Sequence, residues 1–223
     1  MSDYYKAIYA YYDLLSRLYS MGQIPKCRKY GVDLYSEDYD RELSVCFAGV
    51  GHGSEALYLA RKGALVTVVD TSASMLSSFQ SKLEKETQDV KMRVCVIHGD
   101  IRDVEEQYDW VVANFFLNVF DKADMLIMLD SLTSLCNLNG NLIVGDFFYD
   151  KNAGVIVRLA QRLNWSVALC IFRLFVKNAK HSIYDYKEPL EKRRWKSVDD
   201  KRFGFLGVNF YQSVRYERKY SDT

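Results

Sequence analysis

The sequence predicts an α/β fold in which a doubly wound, mostly parallel seven-stranded sheet is covered by helices on both faces. Continuous apolar runs alternate with stretches of helical spacing between residues 43 and 148, a pattern typical of buried parallel strands and their crossover helices. Glycines and acidic residues follow several of these runs, as they do at the ligand-binding edge of such sheets. Two extended segments, 194–205 and 208–218, flank a glycine-containing turn and predict an antiparallel hairpin at the sheet edge.

The elements of the predicted core follow one another in a regular order. Strands are expected at residues 43–48, 64–69, 92–97, 109–113 and 141–147. Helices are expected at residues 54–62, 72–86 and 121–134, because their apolar residues recur three or four positions apart. An Asn139-Gly140 turn is expected to introduce the fifth strand. N-terminal helices are expected over residues 4–30, and an inserted helical segment over residues 153–176.

Charge and cysteine usage argue against several classes of protein. Thirty Lys and Arg against 29 Asp and Glu leave a formal net charge of +1, so we expect no nucleic-acid partner. Five scattered cysteines without a CxxC pair indicate neither a metal site nor a disulfide framework. The chain starts without the features of a signal peptide, and its most apolar stretch is about half the length that spans a bilayer. We therefore expect a cytoplasmic protein without a transmembrane segment; the oligomeric state stays open.

A glycine-rich turn follows the first predicted strand. It reads Ala48-Gly49-Val50-Gly51-His52-Gly53. Glycines at alternate positions let the backbone turn sharply and approach a ligand closely, because any Cβ would collide with that ligand. The dinucleotide fingerprint requires the spacing GxGxxG, but Ser54 occupies its sixth position. The tighter loop suits a ligand without phosphates, which leaves an NAD-dependent oxidoreductase as the less favoured alternative.

An acidic residue ends the second predicted strand. The carboxylate of Asp70 can accept hydrogen bonds from both hydroxyls of a ribose, as the acid at this place does in nucleotide-binding sheets. Capping of the helix that follows, beyond Thr71, is the alternative role. Met75 lies one turn along that helix, where it can pack on an adenine ring or within the core.

The third and fourth strands are followed by further candidate ligand residues. Gly99-Asp100-Ile101 follows the third strand, where the acid can accept from an adenine amine while the isoleucine covers the ring. An Asp in a turn also commonly bonds nearby backbone. Residues 114–120 follow the fourth strand and contain two amides and three aromatics. Asn114 is placed to contact the ligand, and the aromatics can wall a reaction site unless they belong to the core.

At these four places the sequence resembles the class I S-adenosylmethionine-dependent methyltransferases, over roughly residues 43–148. The resemblance implies S-adenosylmethionine as cofactor and transfer of its methyl group to an O, N or C atom of a small organic acceptor. Family members usually carry an acidic residue two positions before the first glycine, where this chain has Phe47. A looser resemblance, to ubiquinone and menaquinone methyltransferases, lies in the helical start and the long insertion. A non-catalytic module that binds S-adenosylmethionine is the alternative. The residues implied in cofactor binding are Ala48, Gly49, Gly51, Gly53, Asp70, Thr71, Met75, Gly99, Asp100, Ile101, Asn114 and Phe115.

The substrate predictions rest mainly on segments outside this matched core. Tyr12 lies in a tyrosine-rich region expected to close over the cofactor, and Tyr12, Asn118 and Phe120 are predicted to contact the substrate. Tyr12 and His181 are the candidates for a catalytic role. The insertion is expected to cover the core, to line a pocket for a lipophilic or aromatic substrate, or to rest on a membrane surface.

Together the segments are expected to form one domain over residues 1–223, because the chain is long enough for one sizeable core and short for two. Within it we expect an N-terminal helical lid (1–40) and a cofactor-binding core (43–150). A helical insertion that covers the substrate (151–193) and the C-terminal hairpin (194–219) complete the domain.

Overall fold

Seven strands form one sheet in the computed structural model, which describes residues 18–33, 42–173 and 183–219, apart from the side chains of residues 171–173. The strand order is β3-β2-β1-β4-β5-β7-β6. Strands β1 to β5 are parallel, and β7 is antiparallel to both β5 and β6. The predicted mostly parallel sheet with its C-terminal antiparallel hairpin is confirmed. The strands are β1 (Ser44–Ala48), β2 (Leu65–Asp70), β3 (Val94–His98), β4 (Tyr108–Asn114), β5 (Cys136–Phe147), β6 (Trp195–Phe205) and β7 (Val208–Arg218).

Helices flank the sheet on both sides and connect its parallel strands. The described helices are α1 (Gln23–Asp33), α2 (Ser54–Arg61), α3 (Ala73–Leu83), α4 (Gln88–Met92), α5 (Lys122–Ser134), α6 (Val155–Arg173) and α7 (Lys187–Lys192). Short 3-10 turns lie at Ile101–Asp103 and Leu117–Val119.

Within the predicted core, two boundaries differ from the sequence prediction by three residues or more. The helix expected over residues 72–86 ends at Leu83, because Thr87 adopts an extended conformation and starts the separate helix α4. The turn expected before the fifth strand is instead an irregularity within β5, whose register against β4 shifts between Tyr108 and Trp110. The Asn137 amide holds this irregularity by donating to the Asp109 carboxylate at 2.8 Å. The strand therefore begins five residues earlier than Asn141.

The two faces of the sheet are buried in separate apolar clusters. One cluster contains the inner sides of α5 and α7 and the buried Trp195, and the other contains α2, α3 and the fully buried Trp110. Strand β1 pairs with β2 on one side and with β4 on the other. The direction of the chain across the sheet reverses at this point, and ligands of open α/β sheets bind at such a switch, beyond the carboxyl ends of the strands.

A third apolar cluster joins α1 and α6 to the hairpin. Trp165 of α6 packs on Phe147 of β5, with ring centroids 4.6 Å apart, and Phe147 in turn packs on Tyr211 of β7. The buried Gln161 side chain donates to the Asn209 carbonyl at 2.7 Å and accepts from the Asp150 backbone N–H at 3.0 Å. The insertion after the fifth strand is thus anchored beside the carboxyl ends of the central strands.

Candidate functional site

The glycine loop after β1 takes a conformation that only glycine adopts easily. Gly49, Gly51 and Gly53 have φ angles of 78°, 48° and 73°, in the left-handed region where a Cβ adds strain. A Cβ on Gly53 would lie 2.3 Å from the Phe79 ring, so this glycine lets α2 begin directly against α3. A Cβ on Gly51 would meet no protein atom within 4 Å. The loop therefore packs on the protein at one glycine and presents bare backbone to open space at another.

The Asp70 carboxylate fixes this loop to the end of β2. One of its oxygens accepts from the Val50 backbone N–H at 2.9 Å, and the other accepts from the Ser72 backbone N–H at 2.8 Å. The Ser72 hydroxyl, not Asp70, caps α3, by accepting from the Met75 backbone N–H at 3.4 Å. A carboxylate has about four acceptor positions, so half-buried Asp70 retains capacity for further donors. It lies beside the glycine loop, as the prediction requires.

The step after β3 combines an ion pair with a buried side chain. The Arg102 guanidinium donates to both Asp100 oxygens, at 2.9 and 2.6 Å, and this pairing lowers the pKa of Asp100 below its usual range. Ile101 is buried against the sheet. The Gly99 backbone N–H donates to the Asp70 carbonyl at 3.1 Å, which brings the ends of β2 and β3 together. Thr71 is exposed beside them.

Strand β4 ends in a strained residue and a buried amide. Phe115 has a φ of 53° and donates its backbone N–H to the Gly145 carbonyl at 2.7 Å. Left-handed conformations of large residues are uncommon and cluster at functional sites. The Asn114 amide nitrogen donates to the Arg28 carbonyl at 3.4 Å, whereas its Oδ1 is buried without a hydrogen-bond partner among the described residues. This oxygen packs against Gly145, where a Cβ would lie 2.3 Å from it.

An ion pair joins helix α1 to helix α2. Arg28 Nε lies 3.3 Å from Glu55 Oε1, and both side chains are only 12% exposed. Glu55 is in the first turn of α2, directly after the glycine loop. Arg28 also provides the carbonyl that Asn114 contacts. Sequence reasoning missed this pair, because residues 27 positions apart on separate helices carry no local pattern that brings them together.

A buried polar network lies behind the loop that follows β4. The Asp146 carboxylate on β5 accepts from the Asn118 amide at 2.6 Å and from the Tyr186 hydroxyl at 2.6 Å. All three residues are at least 95% buried. Burial, and secondarily the nearby Asp146, raises the pKa of Tyr186 well above its usual value, so this hydroxyl stays protonated and donates. Asn118, predicted to contact substrate, therefore has its amide turned to Asp146.

Aromatic side chains stand next to the glycine loop. The Phe116 ring lies 3.2 Å from where a Cβ on Gly49 would be, and its centroid is 5.3 Å from that of Phe120. The Tyr184 hydroxyl donates to the Phe120 carbonyl at 3.1 Å. Phe115 points instead into the third apolar cluster, against Phe147. Phe116 and Phe120 are partly buried against the first apolar cluster, and of the loop's three phenylalanines Phe116 is the one placed against the glycine loop.

The predicted residues Tyr12 and His181 lie outside the described part of the chain, so their roles stay predictions. Asp146 and Tyr186 were not predicted as site residues. The acid Asp146 follows Gly145 near the end of a long apolar strand, a pattern from which Asp146 could have been identified. Within the described ranges, no cluster of His, Cys, Asp and Glu side chains could hold a metal ion. In the same ranges, no helix combines the length and apolar character needed to cross a bilayer.

The site fits the adenosyl cofactor implied by the sequence resemblance. Bare backbone at Gly51 allows close approach of a ligand, and the Asp70 carboxylate lies next to it with acceptor capacity for ribose hydroxyls. The Asn114 side chain adds an amide whose Oδ1 has no hydrogen-bond partner within the described ranges. These groups all lie at the carboxyl ends of β1, β2 and β4.

Comparisons with known proteins agree with this geometry. Residues 45–140 match the family model described as a methyltransferase domain, whereas no curated protein sequence matches the chain. Among solved structures, a magnesium protoporphyrin IX methyltransferase from Synechocystis PCC 6803 with bound S-adenosylmethionine superposes with a TM-score of 0.65. It is 20% identical over 89% of this chain and 81% of that chain.

Two further solved structures share the fold. A Burkholderia thailandensis 1,6-didemethyltoxoflavin-N1-methyltransferase with bound S-adenosylhomocysteine has a TM-score of 0.65 and 15% identity, covering 99% of this chain and 91% of that one. A glycopeptide N-methyltransferase has a TM-score of 0.62 and 15% identity, covering 88% and 90%. The domain match over residues 45–140, the strand order and the site agree: this chain carries a methyltransferase domain and has the fold of these three methyltransferases.

Proposed function

We propose that the protein is an S-adenosylmethionine-dependent enzyme that methylates a small lipophilic or aromatic molecule. The observation that carries the acceptor class is the Phe116 ring beside the backbone of the glycine loop, with the Phe120 ring packed against it. Aromatic walls favour flat, apolar acceptors by stacking and by burial of apolar surface. Two structural neighbours are named as methyltransferases of magnesium protoporphyrin IX and of 1,6-didemethyltoxoflavin, which supports a small-molecule acceptor.

We assign the adenosine part of the cofactor to the ends of β2 and β3. Asp70 accepts from the ribose hydroxyls while it continues to hold the Val50 backbone N–H. Met75 and Ile101 cover the faces of the adenine ring. Asp100 accepts from the adenine amine with the oxygen lone pairs that the Arg102 ion pair leaves free. Thr71 and Gly99 complete this side with the exposed backbone next to Asp70.

We assign the amino-acid end of the cofactor to Arg28 and Asn114. The family's usual acidic residue before the first glycine is replaced here by Phe47, which is buried in the core. Asn114 Oδ1 offers an acceptor for the ammonium group in its place. Arg28, held by Glu55 at 3.3 Å, offers a cation for the carboxylate. This ion pair therefore substitutes for the family's usual arrangement.

The cofactor supplies a methyl group on a positively charged sulfur, which makes it ready for displacement by a nucleophile. The chain's own task is to hold donor and acceptor in line, since alignment alone can remove much of the barrier. The Asp146 network contributes by fixing the 3-10 turn that carries Asn118, next to Phe116 and Phe120. A base is required only for acceptors that must lose a proton during transfer, and Tyr12 and His181 stay the candidates for it.

We retain the division into parts as a component of this proposal. The segment 1–40 acts as the lid and 43–150 as the cofactor-binding core, in one domain over residues 1–223. The segments 151–193 and 194–219 act as the substrate cover and the hairpin. We also propose a cytoplasmic location and a looser resemblance to ubiquinone and menaquinone methyltransferases.

Loss of the Asp70 carboxylate tests the ribose assignment. We expect Asp70→Ala to weaken binding of S-adenosylmethionine about 10- to 100-fold, roughly 1–3 kcal/mol, because a partly buried charged acceptor is lost. Titration calorimetry with S-adenosylmethionine and S-adenosylhomocysteine measures this. Asp103→Ala removes the same charge from an exposed position at the same sheet edge and should bind as the parent does. Unchanged affinity in folded Asp70→Ala would exclude Asp70 from this role.

The acceptor class is tested by mass spectrometry of mixtures incubated with the enzyme and S-adenosylmethionine. We expect aromatic and lipophilic compounds to gain the mass of one methyl group in place of hydrogen, and Phe116→Ala to lower that yield more than it lowers cofactor affinity. Methylation confined to polar, non-aromatic acceptors would refute the proposal. Cofactor binding without any methyl transfer would instead favour a non-catalytic module.

A further inference from the structure

Helix α6 is apolar on two opposite faces. Its inner face packs Trp165 and Ala168 into the third apolar cluster. Its outer face carries a second apolar stripe in which residues recur three or four positions apart: Ile156 is 84% exposed, Leu159 66% and Leu163 64%, and Val155 and Val167 are exposed as well. A helix that is hydrophobic on both sides normally has a partner on both. Nothing among the described residues covers the outer stripe of α6.

Two other exposed apolar groups are tied to α6 by hydrogen bonds. The hairpin tip carries Leu206, which is 92% exposed, and the neighbouring Asn209 carbonyl accepts from Gln161 of α6 at 2.7 Å. Leu18, also exposed, precedes Tyr19, whose hydroxyl donates to the Asn164 carbonyl of α6. Exposed apolar side chains therefore also occur on the two segments that are hydrogen-bonded to α6.

The charged residues of α6 itself are all basic, whereas the neighbouring Arg202 of β6 is ion-paired with Asp200 at 3.9 Å. Helix α6 contains three arginines and no acidic residue. The Arg162 guanidinium stacks over the Tyr149 ring at 5.5 Å, and Arg202 of β6 stacks over the Phe148 ring at 4.5 Å. Guanidinium groups and aromatic rings beside an apolar stripe are characteristic of helices that lie in the headgroup region of a bilayer.

We propose that the outer face of α6, with the Leu206 tip, docks the enzyme on the surface of a membrane that contains anionic lipids. The leucines and isoleucine enter the acyl boundary, while the exposed Arg162 beside the stripe contacts lipid phosphates. The charge pattern favours this partner over a second copy of the chain, because pairing α6 with itself would bring arginines of both copies together without acids to balance them. Docking is independent of the acceptor's identity, although it would turn the ligand edge toward molecules dissolved in the bilayer.

Vesicle co-sedimentation of the full chain tests the proposal. We expect the protein to sediment with vesicles of phosphatidylcholine and phosphatidylglycerol and to bind phosphatidylcholine vesicles weakly, with binding that falls as salt is added. Leu159→Gln combined with Leu163→Gln should weaken binding about tenfold or more, because two exposed side chains lose their insertion into the bilayer. Arg162→Gln should weaken binding to the anionic vesicles only.

Matched controls make the outcome decisive. Met92 and Leu138 are each 71% exposed but lie away from α6, at the opposite edge of the sheet, so their double change to Gln should leave sedimentation unchanged. Calorimetry with S-adenosylmethionine should show parental affinity for every variant, which verifies folding. Absence of vesicle binding would overturn the proposal. So would an equal loss of vesicle binding in the Leu159→Gln with Leu163→Gln variant and in the Met92→Gln with Leu138→Gln control. A dimer in light scattering that Leu159→Gln with Leu163→Gln dissociates would assign the stripe to a second copy instead.

Discussion

Gly53→Ala is expected to destabilise the protein by about 2–5 kcal/mol and to lower the midpoint of thermal unfolding by roughly 4–20 °C. The added Cβ would lie 2.3 Å from the buried Phe79 ring, and overpacking of this kind costs about 1–3 kcal/mol. The φ of 73° adds about 1–2 kcal/mol, because L-residues avoid the left-handed region. Circular dichroism during thermal unfolding measures the shift.

Gly51→Ala is the matched control for this prediction. Its backbone is also left-handed, but a Cβ there meets nothing within 4 Å, so we expect about 1–2 kcal/mol from backbone strain alone. Its affinity for S-adenosylmethionine should nevertheless fall strongly, because that open space is where the cofactor approaches the loop. Similar unfolding midpoints for the two variants would contradict the packing argument. A Gly51→Ala variant with parental affinity would contradict the position of the cofactor.

The succession of strands and helices along the chain could be predicted from the sequence because most parallel strands left an uninterrupted apolar run. β1 and β4 are almost fully buried, and β2 is buried at three of its six residues. Boundaries that depend on interactions between elements could not be predicted. The early start of β5 depends on the hydrogen bond from the Asn137 amide to the Asp109 carboxylate. These two residues lie on different strands.

The candidate site was predicted in part, for a related physical reason. The glycine loop and Asp70 are identified by local requirements, namely a left-handed backbone and an acid at a strand end, which are visible in a single stretch of sequence. The Arg28–Glu55 pair and the unpartnered Asn114 oxygen depend on how α1 packs against the sheet. Such packing has no local signature, so these residues emerge only from the three-dimensional arrangement.

Asp146→Ala is expected to cost about 3–5 kcal/mol of unfolding free energy, measured by urea denaturation. The change leaves the Asn118 amide and the Tyr186 hydroxyl buried without their acceptor, and each such orphaned group costs about 1–3 kcal/mol. Part of the total comes from the space left by the side chain, because the residue is 1% exposed. Few single substitutions exceed this range.

Tyr186→Phe keeps the Asp146 network measurable even if Asp146→Ala does not fold. It removes one donor and no bulk, so we expect a loss of about 1–3 kcal/mol, and the double variant should lose less than the sum because both changes remove the same bond. Asp103→Ala, an exposed acid, should change stability by no more than about 0.5 kcal/mol. Strict additivity of Asp146→Ala and Tyr186→Phe would mean that the two groups do not share a stabilising bond. If the two losses are not additive, the shared bond stabilises the turn that carries Asn118. Phe116 lies next to that turn, so we then expect Tyr186→Phe to lower methyl transfer more than it lowers cofactor affinity.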